Sequence, residues 1–114
     1  MKQYNIGDIV FVKNYLYKSG EEGKNHSFVI VDDGQAIDIN YFGFLLSSNM
    51  NKATYPYNEI LKKDDVNKLR KDGIVKCDDL IEITDKEIQF KIGTVSLDDL
   101  ERFLETFEKY LDNN

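Results

Sequence analysis

Apolar and polar positions fall in short strand-like runs through most of the chain and take up a sustained longer period near residue 97. Asp8-Ile9-Val10-Phe11-Val12-Lys13, introduced by Gly7, is rich in β-branched and aromatic residues and predicts a first strand. Ser27-Phe28-Val29-Ile30-Val31 is an unbroken apolar run after its serine, the pattern of a strand buried on both faces, and Asp32-Asp33-Gly34 turns the chain behind it. Ala36-Ile37-Asp38-Ile39 and Phe42 to Ser48 continue as strand material, with Gly43 a bulge or close-approach point. Ala53 to Ile60 reads as a further extended segment held to an edge by Pro56. Ile74 to Asp78 and Leu80 to Ile83 read as two strand-like pieces. Ile88 to Val95 alternates, with Ile88, Phe90 and Ile92 on one face.

Two stretches break this rhythm. Asn14 to Asn25 is polar, holds Gly20 and Gly23, and reads as a long loop of the kind that carries function on a rigid scaffold. Lys63 to Lys71 has Val66 and Leu69 at helical spacing and is stopped by Asp72-Gly73, which predicts one or two helical turns. The last element is a helix: Leu97, Leu100, Phe103, Leu104, Phe107 and Leu111 form an apolar stripe. Ser96 followed by Asp99 starts it like a capping box, and Asp98 and Asp99 suit the positive end of its dipole. The expected fold is mainly β with α: roughly six or seven short strands, a short central helix and a C-terminal amphipathic helix, in a small twisted barrel or strongly curved sheet. No repeat, low-complexity tract or linker divides the chain, so one domain is expected over residues 1–114.

Composition narrows the setting. Hydrophobic residues make up 41% and charged residues 32%, ordinary globular usage, and 114 residues suffice for one core. The lone Cys77 rules out an intrachain disulfide and a thiolate zinc site, consistent with a reducing cytoplasm. The opening MKQYNIGD lacks the apolar core of a signal peptide, and no run of 18 apolar residues predicts a membrane span. A net charge of -6 argues mildly against nucleic acid as a ligand, but 11 of the 21 carboxylates lie between Asp78 and Asp112. Ahead of Asp78 the balance is 11 basic to 10 acidic residues, so the front of the protein is where an anionic ligand would be met.

The order of these elements resembles the PemK/MazF family of bacterial toxin endoribonucleases, SH3-like barrels that cut RNA. Gly7-Asp8-Ile9-Val10-Phe11-Val12 is similar to that family's opening strand. Gly20 to Val31 is similar to its Gly-rich loop, Arg-Pro pair and following strand. Leu45-Leu46-Ser47-Ser48-Asn49 sits where the family has an aliphatic strand ending in Thr or Ser. Asp72 to Asp78 and Lys91-Ile92-Gly93-Thr94-Val95 resemble two later strands, the second just before the last helix. The likeness runs from about Gly7 to Leu111 and lies in the colinear order of these five pieces. It implies an SH3-like curved sheet or barrel, a metal-independent endoribonuclease acting on single-stranded RNA, no cofactor, an antitoxin partner and a homodimer.

One departure bears on the chemistry. The family's catalytic arginine position falls on Asn25 and its proline on His26, while Ser47 fills the Thr/Ser position. Cleavage through the ribose 2′-hydroxyl needs proton transfer, charge stabilisation and hydrogen bonds to the phosphate. By the resemblance, His26, Ser47 and Lys24 are the catalytic candidates, and Lys18, Asn25, Ser48 and Asn49 the substrate-binding ones. Either His26 and Lys24 take over the arginine's work, or the chain is a catalytically silent barrel that binds a protein or RNA partner. A third possibility is a relative that acts on DNA gyrase, as one branch of the same superfamily does, with no hydrolytic chemistry. Each residue also has an ordinary reading: a strand-end histidine, a serine satisfying backbone groups, solubilising loop lysines. The tyrosines are core or sheet-face residues before they are base-stacking ones. The pairs Asp32-Asp33, Asp64-Asp65 and Asp78-Asp79 read as solvated turns rather than metal sites, and Cys77 as a buried small residue.

Overall fold

The computed structural model describes residues 3–13, 25–34 and 40–114. Within them, β1 (Asp8–Val12), β2 (His26–Asp32), β3 (Asn40–Ser47), β4 (Asn58–Leu61), β5 (Gly73–Thr84) and β6 (Ile88–Thr94) precede a helix, α1 (Leu97–Asp112). They form one antiparallel sheet in the order β4-β5-β3-β2-β1-β6. The sheet is curved but open, because β4 and β6 are its two edges and do not pair with each other. The predicted segment Ala36–Ile39 and the Asn14–Lys24 part of the predicted loop lie outside the described residues.

Strand alternation sorts the apolar residues onto two faces. Ile9, Val29, Val31, Phe44, Leu46, Val75 and Cys77 form one cluster, which Phe103 of α1 enters fully buried, with Leu100, Leu104 and Phe107 packed beside it. Val10, Val12, Phe28, Ile30, Tyr41, Ile81, Ile83 and Ile88 form the other. Five strands contribute to that second cluster, which requires the sheet to bend around it. Ser96 caps α1 by accepting from the Asp99 N–H at 3.1 Å. The Asp99 carboxylate turns to Arg102 at 3.0 Å, and the same guanidinium reaches Glu59 at 2.7 Å and the Ile60 carbonyl at 2.8 Å. Arg102 thereby ties the helix to the β4 edge and occupies a carbonyl that an edge strand would leave open. The stripe's end members, Leu97 and Leu111, stay exposed.

Four expectations are corrected. The helical turns predicted at Lys63–Lys71 are instead a turn braced by side chains. Asp64 Oδ1 accepts from the Val66 and Asn67 N–H groups, at 2.9 and 2.7 Å. Asn67, completely buried, accepts from the Asp64 and Leu69 N–H groups and donates to the Lys62 carbonyl. Lys68 takes a positive φ of 59°, and Val66 is exposed, so there was no helical face to bury. Ala53–Ile60 is extended only from Asn58 onward, because Tyr57 turns the chain at φ 62°. The pieces at 74–78 and 80–83 are one strand, β5, whose polar middle is absorbed by an irregularity in its pairing between Phe44 and Leu46 of β3. Ile88, Phe90 and Ile92 do not share a face: shifts in the β1–β6 register put Ile88 in one cluster and Ile92 against the other. Phe90 stays exposed and stacks on Phe11 with centroids 5.0 Å apart. Short 3-10 turns at Met50–Lys52 and Asp85–Glu87 are additional to the predicted elements.

The 62–69 turn lies against β6 at Gly93. A Cβ there would collide with the Asn67 carbonyl group and sit 2.9 Å from the Val66 oxygen. Gly93→Ala is therefore expected to destabilise the fold by about 1–3 kcal/mol, the usual range for forcing an extra carbon into a packed site. Urea denaturation measures this; an unchanged midpoint would mean the turn does not pack on β6.

Candidate active site

His26 opens β2, where it pairs with Val12 of β1. The β2–β3 register sets Ser27 opposite Leu46, and His26 and Ser47, the first residue of β2 and the last of β3, are the next residues outward on the two strands. By alternation both belong to the face of Phe28 and Leu45, away from α1. The His26 ring meets Phe28 edge-on, centroids 6.4 Å apart. On its other side Ser47 pairs with Ile74 of β5. The approach of β5 depends on Gly73, where a Cβ would lie 2.7 Å from Leu46 Cδ1 and 3.1 Å from the Ser47 carbonyl oxygen. A side chain at that position would push the preceding residues away from the end of β3.

These strand ends enclose a cavity of about 520 Å³ lined by Asn25, His26, Ser27, Leu46, Ser47 and Ser48, and by the segment Leu69 to Gly73. Four of the residues expected from the sequence thus meet at one site: Asn25, His26, Ser47 and Ser48. Asn49 is not on the lining. Its N–H donates to Ser47 Oγ at 3.1 Å, and its side chain accepts from the Asn51 N–H, starting the 3-10 turn. Ser47 therefore has a structural task, yet its hydroxyl accepts that bond and keeps its own proton to donate elsewhere. Lys18 and Lys24 lie outside the described residues.

Arg70, Lys71 and Asp72 also line the cavity; Arg70 and Lys71 fall in the stretch whose spacing predicts helical turns, and Asp72 at its stop. The signal available was the basic run Lys68-Leu69-Arg70-Lys71 directly before Asp-Gly. Two cations against one carboxylate give this cavity a local charge opposite in sign to the chain's -6. Such a local reversal lets an acidic protein receive an anion. Asp72 is held in place by its Oδ1, which accepts from the Lys63 N–H at 2.9 Å.

Other candidate groups stand apart. Asp78 is not in a solvated turn: it lies within β5, half-buried, with Oδ1 buried and without a hydrogen-bond partner among the described residues. Cys77 is completely buried, and burial pushes its thiol up to about 12, so it is a packing residue and no nucleophile. Among the described residues no three His, Cys, Asp or Glu side chains converge as metal ligands, and no helix is long and apolar enough to cross a membrane.

The fold is similar to that of several solved structures. An endoribonuclease in complex with its cognate antitoxin, from a mycobacterial species, superposes with a TM-score of 0.71 at 12% identity, over 93% of this chain and 92% of that one. The Mycobacterium tuberculosis toxin MazF-mt6 superposes at 0.68 with 15% identity, over 92% and 96%. A further mycobacterial endoribonuclease superposes at 0.69 with 14% identity, over 98% and 94%. A search of curated protein sequences finds no match. The family model of PemK-like, MazF-like toxins of type II toxin-antitoxin systems matches residues 5–111, and the chain belongs to that family. It is the toxin component of a toxin-antitoxin pair.

Proposed function

We propose that this toxin is an endoribonuclease that cleaves single-stranded RNA without a metal ion, using His26 and Ser47 at the cavity between β2, β3 and the start of β5. The carrying observation is that a group able to exchange a proton and a hydroxyl able to donate a hydrogen bond line one cavity together with two cations. In the reaction the ribose 2′-oxygen attacks the adjacent phosphorus and loses its proton. The bond from phosphorus to the 5′-oxygen breaks, and that oxygen gains a proton. The products are a 2′,3′-cyclic phosphate and a 5′-hydroxyl end. His26 carries out one of the two proton transfers. Ser47 donates to a phosphoryl oxygen, where extra negative charge gathers as the new bond forms. Lys24, two residues ahead of His26, adds positive charge in the same reading, and Lys18, Asn25, Ser48 and Asn49 contact the substrate.

The partners follow the same reading: RNA as substrate, an antitoxin that silences the enzyme, and a second copy of the chain, all in the cytoplasm. Support for an antitoxin comes from the structurally similar endoribonuclease solved with its cognate antitoxin.

Expression of the wild-type chain without its antitoxin tests the proposal. New RNA ends bearing 5′-hydroxyl groups are expected in mapped cellular RNA, together with arrested growth. Intact RNA under those conditions would replace the nuclease reading with that of a silent barrel that binds its partner.

A further inference from the structure

We propose that Arg70 is the residue that grips the RNA backbone phosphate, supplying from the segment ahead of β5 the guanidinium that Asn25 does not supply from the other side of the cavity. This deepens the nuclease reading and rests on it for the identity of the ligand as RNA. The chain has only two arginines. Arg102 is committed to Glu59, Asp99 and the Ile60 carbonyl on the helix side of the sheet. Arg70 lines the same cavity as His26 and Ser47, is exposed, and has no ion-pair partner among the described residues.

Its backbone is fixed on both sides. Ahead of it, the Leu69 N–H donates to the buried Asn67 side chain at 3.0 Å, and the Leu69 side chain packs on the core. Behind it, Asp72 is bonded to the Lys63 N–H and Gly73 lies against the end of β3. An anchored backbone carrying an exposed, uncommitted guanidinium is suited to a diffusing anion, because the fork costs little to organise when the phosphate arrives. A guanidinium also matches two phosphate oxygens at once, which neither neighbouring Lys71 nor an asparagine does. Lys71 adds charge; Arg70 adds the geometry.

The test separates binding from cleavage. A short random-sequence RNA, 2′-O-methylated throughout and so uncleavable, is titrated with wild type, Arg70→Ala, Arg70→Lys and the distant surface control Lys86→Ala, at several salt concentrations. Arg70→Ala is expected to weaken binding about 10- to 100-fold and to lower the slope of log K against log salt by about 0.7, the loss of one phosphate contact on a single strand. Arg70→Lys keeps the slope without recovering the affinity, and Lys86→Ala changes neither. If Ala at this position shifts the Tm, Arg70→Gln keeps the aliphatic stem and replaces it in the comparison. Cleavage of the unmethylated RNA is measured alongside, and adding Asn25→Arg to Arg70→Ala is expected to restore part of the lost rate. Wild-type affinity and slope in Arg70→Ala would overturn the proposal while leaving the nuclease reading intact. Weakened binding by the variant, with no cleavage by wild type, would sink the nuclease reading and leave the phosphate site standing. Failure of wild type to bind the RNA at all would overturn both.

Discussion

His26→Ala is expected to lower RNA cleavage by about 10²–10⁴-fold, the span that one positioned proton-transfer group contributes. The rate should fall mainly in kcat, since an imidazole that works on the transition state adds little to ground-state binding. Affinity for the uncleavable RNA should stay within a few-fold of wild type. One limb of the bell-shaped pH–rate profile should disappear with the imidazole, which mere distortion of the strand end would not cause. Ser47 needs a different control because its oxygen also receives the Asn49 N–H. Ser47→Ala removes both bonds, whereas Ser47→Thr keeps a hydroxyl, so retained activity in Thr and loss in Ala would assign the effect to that group. Wild-type kcat in His26→Ala would remove His26 from the mechanism, whatever else the cavity does.

The largest effect on stability is expected at the junction of helix and sheet. Phe103 is completely buried among Ile9, Phe44, Val75 and Cys77, and it is the fully buried apolar residue of α1. Phe103→Ala is expected to cost about 3–5 kcal/mol, combining lost transfer energy with the cavity left behind. That is a large share of the 5–15 kcal/mol available to a typical small domain. Cys77, in the same cluster, provides a readout independent of denaturant. Its thiol, buried and pushed up to about 12, should resist alkylation in the wild-type protein. In Phe103→Ala it should become reactive as the helix lifts. Equal labelling rates and equal unfolding midpoints would show that α1 does not hold the sheet.

Which parts of this architecture could be read in advance follows from which forces leave a periodic trace. Strands β1 and β2 and the helix α1 were legible because burial imposes a period on the residues that supply it. The 62–69 turn was not, since it is held by Asp64 and the buried Asn67 bonding to backbone groups, and such bonds have no period. Val66 and Leu69 mimicked a helix only by their spacing. The register shifts that send Phe90 outward are likewise invisible in a pattern that assumes regular pairing. At the candidate site, His26 and Ser47 could be named from family resemblance. Arg70 and Lys71 could not, because nothing local brings residue 70 to residue 47. That meeting depends on β5 pairing with β3 and on the close approach at Gly73, a contact between distant parts of the chain.

The pairing of β1 with β6 joins the first strand to one more than 70 residues later, and the last helix seals the core through Phe103. A chain still emerging from the ribosome can therefore align β2 beside β3, yet it cannot bury Val29, Phe44 or Val75 until residues 97–112 have been made. Closure of the core thus waits on the helix, and contacts between such distant segments form slowly.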